Sequence, residues 1–315
     1  VGTILLSLPI ASANGTWTDL LTAAFTSTTS VCVTGLVVVD TFSYWSLFGK
    51  GVILILIQIG GLGIVSIITL FMLLFRMKIT LKSTMLLQDA FNLNSKQGLL
   101  KFTIKVIKGT FLIEGIGAFI YSFYYCREYG LLKGIWFSVF HAVSAFCNAG
   151  LDIMGADSLI PYHSNLLMML NTSFLIIMGG IGFIVWWDTV EAFRRIRTKK
   201  CSIRSAWNGV HLQTKIAIFM TLLLLIGGTV VIYFLERSNP DTLGNLSEKD
   251  RILNAFFQSV TLRTAGFAAV PQAALRPVTA FFGALLMMIG GSPVGTAGGM
   301  KTVTIAVIFL SLIHI

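Results

Sequence analysis

The chemistry written into this chain belongs to three stretches of backbone, residues 24–36, 139–151 and 255–267, which repeat one skeleton. Each has Phe ten residues before a Gly (Phe25 and Gly35, Phe140 and Gly150, Phe256 and Gly266), with Thr34, Ala149 or Ala265 just before that Gly. Leu or Phe follows it, and the glycines recur about every 115 residues, a module too large for a solenoid unit. A dehydrated cation needs oxygen ligands in place of its water shell, and rings of backbone carbonyls supply them. Turning successive carbonyls toward an axis demands unusual φ and ψ, which Gly adopts with least strain. The plain alternative is three Gly-containing helix breaks used only for packing. Three copies in register, each after a short amphipathic segment, favour the ligand role.

Other residues offer less. The segment Gly290, Gly291, Ser292, Pro293, Val294, Gly295, Thr296, Ala297, Gly298, Gly299 ends in Gly-Gly-Met-Lys-Thr, yet Met300 breaks the Gly-Lys-Thr adjacency of a nucleotide-binding loop. It reads as a flexible constriction of small residues, with a simple helix kink at Pro293 as the alternative. Glu114 lies inside an apolar block, where a carboxylate is a functional candidate; pairing with a Lys such as Lys301 and bonding to a neighbouring helix are equally open. His141 is expected to pack or hydrogen-bond rather than relay protons. Arg263 is expected to brace its loop through a carboxylate or carbonyls, with repulsive tuning of ion affinity as the sharper option. Cys32, Cys126, Cys147 and Cys201 have no ligand spacing, so neither zinc nor a disulfide framework is indicated. No nucleophile–base set appears, which argues against an enzyme.

The elements that must position these loops are membrane helices. Hydrophobic residues make up 55% of the chain and charged residues 11%, and the apolar residues come in blocks of roughly 20, the length that crosses a bilayer. The net charge of +10 is a topology signal rather than a nucleic-acid one. Fourteen of the 23 Lys and Arg fall in residues 76–108 and 194–215, opposed by Asp89 alone, which marks cytoplasmic loops. The predicted class is all-α and polytopic, built from span, non-spanning half-helix, loop and returning span, with modules over 1–75, 76–190 and 191–315. Residues 1–10 read as the stub of a span. Half-helices are predicted over 17–30 (capped by Thr16 or Thr18), 131–146 and 252–262, and returning spans over 51–75, 165–187 and from Val278. First spans are predicted over 102–125 and 212–235. Gly60-Gly61, Gly179-Gly180 and Gly290-Gly291 recur in the returning spans. Tyr44, Trp45, Trp186 and Trp187 suit interfacial belts. All basic loops on one side make the modules parallel.

Thr34-Gly35-Leu36 with Asp40-Thr41, Asn148-Ala149-Gly150-Leu151 and Thr261-Leu262-Arg263-Thr264-Ala265-Gly266-Phe267 resemble the first three pore loops of the Trk/Ktr/HKT superfamily of potassium transporters, nearest its KtrB/TrkH-type membrane subunits. Residues 289–301 are similar to the intramembrane loop that gates the pore in that superfamily. The resemblance implies a potassium filter from Cys32, Val33, Thr34, Gly35, Cys147, Asn148, Ala149, Gly150, Arg263, Thr264, Ala265 and Gly266. It implies a plasma-membrane homodimer in the lipid bilayer, regulated by a cytoplasmic RCK-type nucleotide-binding subunit (KtrA/TrkA-like), passing potassium, with sodium as a second candidate ion and no nucleic-acid partner. Cys32, Cys147 and Leu151 stand where relatives usually carry Thr, Asn and Phe. A fourth loop would fall near position 380, and the family's Arg-bearing last span lies beyond it, so the chain is expected to be a truncated fragment. The competing function is an alternating-access transporter for a small solute, whose inverted repeats are not seen here; a membrane protein with no conduit is the third.

Overall fold

The computed structural model describes residues 1–63, 96–155, 157–199 and 202–314. The basic positions Arg76, Lys78 and Lys82, the end of the first predicted returning span and Cys201 lie outside them. Among the described residues there are helices and no strands, as the apolar periodicity predicts, with isolated bridges at Ser12–Trp45 and Ile289–Met300.

The helices are α1 (Gly2–Ser7), α2 (Leu20–Cys32), α3 (Thr41–Tyr44), α4 (Leu47–Leu62), α5 (Lys96–Tyr129), α6 (Leu131–Phe146), α7 (Leu166–Gly180), α8 (Phe183–Lys199), α9 (Ile203–Asn208), α10 (Leu212–Glu236), α11 (Glu248–Thr261), α12 (Pro277–Met288) and α13 (Thr302–His314). Among the described residues two helices are long and apolar enough to cross a membrane, within α5 and α10, and α7 with α8 makes a third only as a bent pair. At 1.5 Å per residue, α10 is roughly 37 Å long, enough for a bilayer. The order long helix, short helix, loop, short helix occurs in α5–α7 and again in α10–α12.

Each short helix begins for a local reason. Asp19 caps α2 by accepting from the amides of Leu21 and Thr22, so neither Thr16 nor Thr18 does it; a carboxylate also suits the positive helix end. Ser247 caps α11, with Glu248 and Asp250 in its first turn. Gly130, at φ 79°, reverses the chain between α5 and α6, and Gly134 lets α6 lie directly on the backbone of Tyr125 and Cys126. Tyr121, Tyr125, Phe137 and His141 then interlock as a buried aromatic cluster beside Tyr162.

Three expectations are corrected. Residues 165–187 are not one straight span: the helix breaks at Gly180, and α7 and α8 meet at 97°. Likewise α4 ends at Leu62, where Gly63 takes φ 78°, so the first returning helix does not run unbroken through 51–75. The repeated Gly-Gly pairs therefore mark the ends of these helices. Trp45 and Trp186 are also buried in the protein rather than placed in a lipid-facing belt, and the Trp186 indole donates to the Met178 carbonyl at 2.9 Å.

A candidate cation site where three loops meet

α2, α6 and α11 each deliver their C-terminal end, the negative end of the helix dipole, to a Gly-containing loop. The three loops share one backbone pattern. The residue two before the Gly has positive φ (Val33 55°, Asn148 57°, Thr264 64°), and so has the Gly itself (Gly35 74°, Gly150 65°, Gly266 86°). Left-handed backbone at Val and Thr costs about 1–2 kcal/mol, so something must hold it. Much of the hold is a hydroxyl on each helix. Thr29 Oγ1 accepts from the Leu36 amide at 3.1 Å, the Ser144 hydroxyl donates to the Leu151 carbonyl, and that of Thr261 donates to the Phe267 carbonyl at 2.7 Å. The amides of Thr34, Ala149 and Ala265 return to the carbonyls of Thr29, Ser144 and Thr261. The Asn148 carboxamide, with its nitrogen turned inward, donates to the carbonyls of Ala145 and Ile176.

The loops touch. A β-carbon on Gly35 would lie 2.7 Å from the carbonyl oxygen of Ala149, and one on Gly150 would lie 2.5 Å from that of Ala265. One on Gly266 would come within 3.0 Å of the Gly150 α-carbon. Any side chain at these positions collides with a neighbouring backbone, so Gly is required both by φ and by space. The Gly-Gly pairs serve the same packing from behind. A β-carbon on Gly60 would strike the Val31 carbonyl, one on Gly61 the Cys147 side chain, and one on Gly179 the Phe146 carbonyl. Small residues thus let α4 and α7 press against the loop backbones.

The glycines and the residues after them open onto a cavity of about 330 Å³, lined by Gly35, Gly150, Gly266, residues 37–41, Asp152, Gly155 and Ser158. Its two carboxylates differ. Burial works to raise Asp40, but hydrogen bonds from the Ser43 hydroxyl and from the Phe42 and Ser43 amides, with the charge of Lys50, hold it below the usual carboxylate range. Burial prevails at Asp152 and pushes it up, partly offset by the Ser158 hydroxyl and the Met154 amide.

The residues that precede the glycines meet the 290–299 loop instead. The loop closes on itself, with the Gly290 amide bonded to the Met300 carbonyl and the Ser292 and Thr302 hydroxyls 2.9 Å apart. It docks into the α7–α8 break: the amides of Ser292 and Thr296 donate to the Gly180 and Gly179 carbonyls at 2.8 and 3.0 Å, and the Phe183 amide to the Val294 carbonyl at 2.9 Å. Thr296 Oγ1 donates to the Phe146 carbonyl, and Thr264 Oγ1 accepts from the Gly298 amide, each at 3.0 Å. The void left among Asn148, Val260, Arg263, Ala297 and α7 is about 10 Å³, room for one water at most.

The sequence-derived residues fall into place unevenly. Arg263 is buried and spans to the Gly290 carbonyl at 3.3 Å, so it braces the two loops through a carbonyl. Glu114 bonds to Gln58 on a neighbouring helix, and Lys301 binds the Ala297 carbonyl instead. His141 packs among aromatic rings, with no partner for its Nε2 among the described residues. Cys32 is exposed at the end of α2, whereas Cys147 is fully buried beneath its loop. Sequence reasoning missed the hydroxyls of Thr29, Ser144 and Thr261; their recurrence near the end of each half-helix was the available signal.

Comparison with known proteins agrees with this architecture. Residues 3–315 match the TrkH family, described as cation transport protein. The potassium/sodium uptake protein NtpJ of Enterococcus hirae is 39% identical over 311 residues, covering 99% of this chain and 66% of that protein. The Ktr system potassium uptake protein B of Bacillus subtilis is 38% identical over 314 residues, covering 99% and 67%. The chain therefore spans about two thirds of the length of these relatives. Among solved structures, the potassium transporter TrkH from Vibrio parahaemolyticus superposes with a TM-score of 0.62 at 18% identity, over 93% of this chain and 55% of that one, a likeness of fold. By fold, by sequence and by the three loops, this chain belongs to the TrkH family of cation transport proteins.

Proposed function

We propose that this chain provides three sides of a potassium-uptake pore in the plasma membrane, in which backbone carbonyls around Gly35, Gly150 and Gly266 select the ion. The single observation that carries this reading is the contact among the three glycines, each in a loop with positive φ at alternate residues and each at the negative end of a short helix. Positive φ at alternate residues turns peptide planes so that carbonyls can face a common axis, and helix C-termini favour a cation there. Transport of potassium, with sodium as a second ion, follows the names of the relatives at 38 and 39% identity.

The 290–299 loop is proposed as the gate, because it packs against the inner ends of two loops, with a void of only about 10 Å³ beside Ala297. A homodimer and a cytoplasmic RCK-type nucleotide-binding subunit complete the reading, in keeping with a relative named as one protein of a Ktr system. That subunit would meet α8, whose Arg194, Arg195 and Arg197 lie beyond the bend.

The test is rubidium influx into liposomes holding the full-length protein, with potassium and sodium as competitors. Gly266→Ser or Gly35→Ser should weaken potassium competition by about tenfold or more, equal to about 1.4 kcal/mol. Unaltered competition by a folded variant would reject the filter assignment.

A further inference from the structure

Glu114 is buried midway along α5, with 4% of its surface exposed. Among the described residues two polar groups reach it, each placed to donate. Gln58 Nε2 lies 3.0 and 3.3 Å from the two carboxylate oxygens, and the Cys147 thiol lies 3.9 Å from Oε1. With the Gln58 amide nitrogen turned toward it, the carboxylate accepts, an arrangement that the charged form can take. Among the described residues no Lys, Arg or His forms an ion pair with it. A buried charge without a side-chain counter-ion is costly and needs another source of positive charge.

The position of its partners indicates that source. Cys147 is the residue that ends α6 and begins the second loop, one residue before the left-handed Asn148. Gln58 and Gly61 lie three residues apart on one face of α4, and Gly61 is pressed directly on Cys147. Glu114 therefore joins α4, α5 and the root of the second loop at one buried point.

We propose that Glu114 is a positioning residue for cation affinity: its carboxylate fixes the second loop through Cys147 and Gln58 and supplies the negative charge that the bound ion balances. This inference rests on the filter reading above. It does not make Glu114 a ligand; the carbonyls remain the ligands, and the carboxylate acts through the residue beneath them and through its field.

The experiment uses the full-length protein in liposomes and measures rubidium influx as KM and maximal rate for the unmodified protein, Glu114→Gln, Glu114→Asp and Gln58→Leu. Glu114→Gln keeps the shape and a hydrogen bond to Gln58 while removing the charge, and it should raise KM on the order of tenfold with a smaller change in maximal rate. Glu114→Asp should restore most of the affinity. Gln58→Leu, which leaves the charge in place, should shift KM less than Glu114→Gln. If Glu114→Gln transports with unchanged KM, or if Glu114→Asp is as impaired as Glu114→Gln, the inference is overturned while the filter reading stands. No influx with the unmodified protein would instead overturn the filter reading and this inference with it.

Discussion

Among the three loop glycines, Gly150 has the least room. It combines φ 65° with a β-carbon site 2.5 Å from the Ala265 carbonyl and 2.7 Å from the Gly266 α-carbon. Gly155, at φ 105°, lines the same cavity but has nothing within 4 Å of that site. Gly155→Ala therefore carries backbone strain of about 1–2 kcal/mol and no displacement of a loop. Gly150→Ala must push two loops apart, so potassium competition in the influx assay should fall tenfold or more for Gly150→Ala and less than threefold for Gly155→Ala. A second prediction concerns pH. Asp152 is raised and Asp40 lowered, so external acidification protonates Asp152 first, and the cavity loses that negative charge while Asp40 keeps its own. Potassium KM should then rise severalfold as external pH falls toward 5, and Asp152→Asn should flatten that profile with a raised KM at neutral pH. The Gly positions were legible in the sequence because they recur with Phe, and the hydroxyl partners were not, because single Ser and Thr in apolar helices usually satisfy themselves on the preceding turn.

Helix breaks form the next scale, and here sequence and structure part at α7–α8. Residues 165–187 form an apolar run with the length of a span, and no Pro interrupts them. The break at Gly180–Gly182 receives a loop more than a hundred residues away: a β-carbon on Gly182 would lie 2.5 Å from the Pro293 carbonyl. Local pattern carries no trace of such a partner beyond the glycines themselves. α6, by contrast, covers the half-helix expected over 131–146, with Gly130 before it and the Cys147 loop after it. The docking makes a testable unit of the break and the 290–299 loop. Thr296→Val removes the bond to the Phe146 carbonyl, whose net worth is about 0.5–1.5 kcal/mol, and should increase rubidium influx two- to tenfold in the absence of any cytoplasmic partner. Gly182→Ala should act in the same direction through its clash and its φ of 96°. Influx at the unmodified level in both variants would leave the loop as packing and remove it as the gate.

At the scale of the whole molecule, membership of a cation transport family makes the chain a transporter component and not an enzyme, as the absence of any nucleophile–base arrangement in the sequence suggested. The all-helical class and the membrane-crossing helices were readable from composition alone, since apolar blocks of bilayer length leave few other folds. What composition could not convey is that the short helices converge. Convergence depends on Gly-Gly pairs that admit α4 and α7 to the loop backbones, a tertiary fit that becomes visible once the loops are side by side. The same fit brings three helix C-termini and two cavity carboxylates to one place, with Glu114 beneath the second loop, so a net-positive chain is locally negative at that point. The central claim is that this point holds the ion, and anomalous scattering from rubidium in crystals of the full-length protein tests it most directly. The account predicts a peak enclosed by the backbone of Gly35, Gly150 and Gly266. Rubidium bound elsewhere in the membrane region, with that position empty, would contradict it.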